Sequence, residues 1–120
     1  MSRRPRGADA IPIFVVPDPF DAAAVAELRP RFDQIAESGS GDLILDFSNV
    51  DFVDSSGVGV VVFLYKRLAA RGARLIVVGL RGHPRKLFEL LHVDRVIETY
   101  DSLDDIDSEP VTARTTTVTP

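Results

Sequence analysis

The stretch "DFVDSSGVGV", residues 51–60, sets two acids, two hydroxyls and two glycines between strongly apolar segments. Four kinds of chemistry could use such a polar hinge. A dinucleotide fingerprint needs G-x-G-x-x-G, but Val62 stands in the third glycine's place after Gly57 and Gly59. No lysine follows to grip a phosphate, as a P-loop requires. A serine hydrolase needs G-x-S-x-G and a histidine base. Val53 and Asp54 stand two residues before the serines, and the two histidines, His83 and His92, read as surface or helix-end residues. A phospho-aspartate receiver would use Asp46, at the end of "LILDF". It would also need an acidic pair after the first strand to hold magnesium, and a lysine after a later one. The first strand runs into "PDPFD", and "LIVVG" is followed by Leu80 and Arg81. Neither a metal site nor a cofactor is expected.

The fourth possibility is that a serine is itself a substrate. Ser55 and Ser56 open an apolar helix, whose first backbone N–H groups lack intrahelical partners. A serine at the N-cap satisfies one of them and stabilises by about 1 kcal/mol. One serine suffices as a cap, which leaves the other free to be exposed. On residue types alone, cap and substrate both stand.

The elements around the hinge can be read from periodicity and punctuation. "AIPIFVV" (10–16) is β-branched, apolar and closed by "PDP", as a strand should be. Asp21 stands where an N-cap belongs, before a helix with its apolar face at Ala24, Val25, Leu28, Phe32 and Ile35. Pro30 inside that helix predicts a kink or break near Leu28. "LILDF" (43–47) is continuous in apolarity, as in a sheet covered on both faces. A helix from Gly57 to Arg71 follows the hinge, then a strand at 73–79 and a short helix with Pro84 in its first turn. A strand at 95–100 comes next, and "SLDDI" can add a helical turn. Strands alternating with helices imply an α/β fold, a single domain over 10–107 with a mainly parallel sheet of four strands or slightly more and helices packed against it. Residues 1–9 read as a disordered basic arm, and 108–120 as a disordered Thr-rich tail.

Composition narrows the class. The chain has 120 residues, 45% of them hydrophobic, enough for a core without disulfides or metal. It has no cysteine, which fits a reducing compartment. The longest apolar run, Gly57 to Tyr65, is far shorter than the roughly 20 residues that span a bilayer. The basic N-terminus has no apolar segment behind it, unlike a secretory signal. A cytoplasmic protein without membrane insertion is expected. Net charge is −4, with the signs segregated: Asp42, Asp46, Asp51 and Asp54 up to the hinge, Lys66, Arg67, Arg71, Arg74, Arg81, Arg85 and Lys86 after it. Such a bipolar surface can orient a charged partner. The basic residues lack aromatic interleaving, so no nucleic-acid partner is expected.

The segment "LILDFSNVDFVDSSGVGVVVFLYKRLAARGARLIVVGL" resembles the STAS-domain anti-sigma factor antagonists, with their central strand, their D-S-[ST]-G-[LIV]-G phosphorylation motif and the helix and strand after it. "RKLFELLHVDRVIETYDSLDDI" resembles that family's closing helix, strand and acidic segment. The resemblance implies a non-enzymatic binding switch. It makes Ser55 the phosphoacceptor, Asp54 and Ser56 its neighbours, and Gly57 the residue that leaves the backbone approachable. The implied partner is an anti-sigma factor that is also a serine kinase. The unphosphorylated form binds it and frees a sigma factor, phosphorylation abolishes the binding, and a serine phosphatase restores it. ATP would be bound by the partner. In the first loop, "DPFD" (18–21) replaces the family's G-E-[LI]-D, with Asp21 matching the last position of a loop that helps contact the kinase. A STAS scaffold, or a subunit of a transporter or stressosome-like complex, shares the fold without needing Ser55.

With Val58, Val61, Val62, Tyr65 and Leu68 toward the sheet, the hinge helix would carry Val60, Phe63, Arg67 and Arg71 on its other face. Val60, Phe63 and Arg67 are then expected partner contacts, unless the first helix or the tail covers them.

Overall fold

The computed structural model describes residues 11–38 and 41–108, so the arm at 1–9 and the tail from 109 on lie outside the described residues. Four strands, β1 (Ile13–Val15), β2 (Leu43–Asp46), β3 (Leu75–Val78) and β4 (Glu98–Tyr100), form one sheet in the order β1-β2-β3-β4. Every pairing is parallel, with Phe14 opposite Leu45, Leu45 opposite Val77 and Val77 opposite Thr99. The helices are α1 (Ala22–Ser38), α2 (Ser55–Ala69), α3 (Gly82–Leu90) and α4 (Leu103–Ser108). This is the expected α/β architecture.

The alternation along each strand assigns the faces. Phe14, Leu43, Leu45, Leu75 and Val77 point into the main core, where they meet Val25 and Phe32 of α1, Val61 and Leu64 of α2 and Phe88 of α3. A chain of tilted and edge-to-face rings, Phe14–Phe32–Phe20–Phe47–Phe88, runs through that core at centroid distances of 5.3–6.1 Å. The other face packs Ile44, Ile76 and Val78 against Ile106 of α4. That is why β3 is apolar on both faces, and β2 also except at its last residue, Asp46: both strands are covered on both sides. On edge strand β1 the second face is open, with Ile13 42% and Val15 55% exposed.

Two expectations need correction. α1 runs through Pro30 as one helix of 17 residues, so the chain does not break there. The hydrogen bond that proline removes would have ended on Ala26, and both residues are exposed, so water can serve the freed carbonyl. β4 begins at Glu98 rather than at residue 95. Val93 and Ile97 both turn inward, a spacing of four that suits a helical turn, and Ile97 N donates to Val93 O at 3.0 Å. Val93–Arg95 accordingly form a 3-10 turn.

Candidate functional site

Two connections meet at the C-terminal end of the sheet. Residues 16–21 lead from β1 to α1, and residues 47–54 lead from β2 to α2. They run side by side as a short parallel bridge: Phe20 pairs with Val53, Phe20 N donates to Phe52 O at 2.9 Å, and Asp54 N donates to Phe20 O at 3.4 Å. Asp18 reinforces the seam, its Oδ1 accepting from Asp51 N and Phe52 N at 2.9 and 3.1 Å. The "DPFD" segment is therefore a structural partner of the hinge.

Asp54 holds the hinge to both helices. As N-cap of α2, its Oδ1 accepts from Ser56 N at 2.9 Å and Gly57 N at 3.1 Å. Its Oδ2 accepts from Ala22 N, the first residue of α1, at 3.2 Å. The serine-cap reading is thereby corrected: neither serine caps the helix, because the carboxylate one residue earlier already serves those donors. Ser55 is the first residue of α2 and exposed, and Ser56 is half-buried. No hydrogen bond joins either hydroxyl to another described residue. Asp21 caps α1 as expected, with Ala24 N donating to its Oδ1 at 3.0 Å.

The two glycines of the motif differ in kind. A Cβ on Gly57 would lie 2.6 Å from both Phe20 O and Val53 Cγ2, so only glycine lets α2 press against the bridge. The approach it permits comes from its own chain. A Cβ on Gly59 would meet nothing within 4 Å. A glycine inside a helix costs about 0.8–1 kcal/mol relative to alanine. Nothing among the described residues explains that cost at Gly59.

Val60 does not face outward. It is 4% exposed, in the main core where α1 crosses α2, so the alternative in which the first helix covers the face holds there. Phe63 is half-buried against the same core, and the exposed Arg67 lies over its ring at 5.3 Å. Leu64, rather than Val62 or Tyr65, completes the buried face; those two are half-buried. Between the helices lies an open groove of about 690 Å³. Ala22, Val25, Ala26 and Arg29 of α1 form one wall. Ser56, Gly59, Val60 and Phe63 of α2 form the other.

Sequence reasoning missed the contribution of the segment after β3. Arg81 donates to Ser48 O at 2.6 Å and lies 3.9 Å from Asp51. His83 places Nε2 3.0 Å from Val53 O and stacks on Phe52, with centroids 5.1 Å apart and the planes 1° from parallel. The available signal was topological, since in a parallel sheet the loops after successive strands gather at one end. Among the described residues no group of His, Asp and Glu could hold a metal ion, and no helix is long and apolar enough to cross a membrane.

Comparison with known proteins agrees with this geometry. The STAS domain family model matches residues 3–106. An anti-sigma-B factor antagonist of Listeria monocytogenes is 30% identical over 93 residues, covering 78% of this chain and 81% of the relative. An anti-sigma-factor antagonist (STAS) domain protein from Planctomyces limnophilus superposes with a TM-score of 0.74 at 16% identity, over 88% of this chain and 97% of that one. The Bacillus cell fate determinant SpoIIAA, solved in its phosphorylated form, gives 0.62 at 24% identity, over 82% and 89%. With the family match spanning nearly the whole described chain, and a parallel sheet whose serine-bearing helix sits where the motif requires, this protein belongs to the STAS domain family.

Proposed function

We propose that this chain is an anti-sigma factor antagonist, a non-enzymatic switch that binds its anti-sigma factor until Ser55 is phosphorylated. The observation that carries the reading is the separation of tasks at the hinge. Asp54 caps α2 and ties it to α1, while the exposed Ser55 hydroxyl bonds no other described residue. The antagonist from Listeria and the phosphorylated SpoIIAA support it as relatives.

The physical effect falls on binding rather than folding. A phosphoserine carries about −1.5 to −2 charge at neutral pH. At the first turn of α2 the helix dipole favours that charge by roughly 0.3–1 kcal/mol, and Asp54 opposes it at similar strength. The fold therefore survives. At a partner interface, burying the dianion without new cations costs several kcal/mol, and each 1.4 kcal/mol is tenfold in affinity.

In this reading the partner is an anti-sigma factor with serine kinase activity, which brings the ATP, and a serine phosphatase resets the switch in the cytoplasm. The test is incubation of the purified chain with each anti-sigma kinase of its own genome plus ATP, with phosphate mapped by mass spectrometry. Phosphate on Ser55, absent in Ser55→Ala, is the expected result. No phosphate from any of them would move the assignment to a STAS scaffold or transporter-associated role.

A further inference from the structure

We infer that the groove between α1 and α2 is the docking slot for a segment of the anti-sigma factor that presents an apolar side chain beside a carboxylate. This rests on the functional reading above and deepens it by naming what the partner places there.

Three observations converge on the groove. Ala22, Ala26, Ser56 and Gly59 in its walls are small, so a side chain can approach the helix backbones closely, beside the apolar Val25, Val60 and Phe63. Gly59 has open space around it, although alanine would make a better helix. Gly57 is demanded by the fold, whereas Gly59 is explained by an incoming chain that needs the room a side chain would fill. The charge at the rim completes the description. Arg29 lines the groove, and its ion pair with Asp33 is an exposed contact at 4.0 Å, of the kind that contributes little. Arg67 lies over Phe63 of the opposite wall, and no acidic residue lines the groove among the described residues. Cations beside apolar wall residues fit an apolar side chain with a carboxylate next to it.

The position also connects the slot to the switch. Ser56 lines the groove and Ser55 is its neighbour, so a phosphate on Ser55 would stand close to the slot and repel the carboxylate that Arg29 attracts.

The experiment is calorimetric titration of the full chain with the anti-sigma kinase that phosphorylates it, repeated with Gly59→Trp, Gly59→Ala and Arg29→Glu, each checked by circular dichroism and melting. Gly59→Trp fills the slot and should weaken binding about tenfold or more, as loss of a central contact does. Arg29→Glu should weaken it several-fold with the fold unchanged. Gly59→Ala should raise the melting temperature by a few degrees yet weaken binding, a combination that a purely structural role cannot give. Should Gly59→Trp fail to fold, the other two variants decide. If the wild-type chain binds and the folded variants bind equally well, the slot assignment falls alone. If no anti-sigma kinase binds the wild-type chain, the functional reading falls and takes the slot with it.

Discussion

The inner and outer sides of the first two turns of α2 are built to different ends. On the inner side every group is committed. Asp54 serves three backbone donors, Gly57 lies against Phe20 and Val53, and Val58 and Val61 are sealed in the core. On the outer side Ser55 offers a hydroxyl that no other described residue binds, and Gly59 leaves a space that no described residue fills. A short motif thus carries two instructions. Asp54 and Gly57 fix the helix on the domain, whereas Ser55 and Gly59 are left exposed.

Substitutions should separate the two sides by the size of their effect on stability. Gly57→Ala should be the most damaging, by about 3 kcal/mol, because the added carbon cannot avoid backbone and core atoms at 2.6 Å. Urea denaturation measures this, and an unperturbed midpoint would mean that the bridge is pliable. Asp54→Ala should cost about 2 kcal/mol, at the upper end of cap losses, since a contact to the first residue of α1 goes with the cap. Asp54→Asn should recover part of it in the same assay. Gly59→Ala should stabilise by about 0.5–1 kcal/mol, opposite in sign to its neighbour two residues away. Ser55→Ala should change stability by less than about 0.5 kcal/mol.

These distinctions mark how far residue patterns could be read. The buried strands were legible because "LIVVG" carries no polar side chain and "LILDF" only Asp46, a run of apolarity that a sheet covered on both faces requires. The cap of α1 was legible because Asp21 is the sole capping residue next to that helix. The cap of α2 was not, because Asp54, Ser55 and Ser56 can all cap. The contact that selects Asp54 comes from Ala22, 32 residues away. The phase of α2 was also hidden. Its residues from Val60 to Tyr65 are apolar all round, so periodicity cannot say which side meets the sheet and which meets α1. Pro30 misled for a different reason: the cost of a proline depends on whether the freed carbonyl can reach water, and there it can.

The division of labour within α2 is tested most directly by comparing the chain phosphorylated on Ser55 with the unphosphorylated chain, in affinity for the anti-sigma kinase and in melting temperature. The account predicts an affinity about a hundredfold lower or more, since burying the dianion costs several kcal/mol, with the melting temperature moved by no more than a few degrees. Equal affinity for the two forms, or loss of binding only because the phosphorylated chain unfolds, would contradict it.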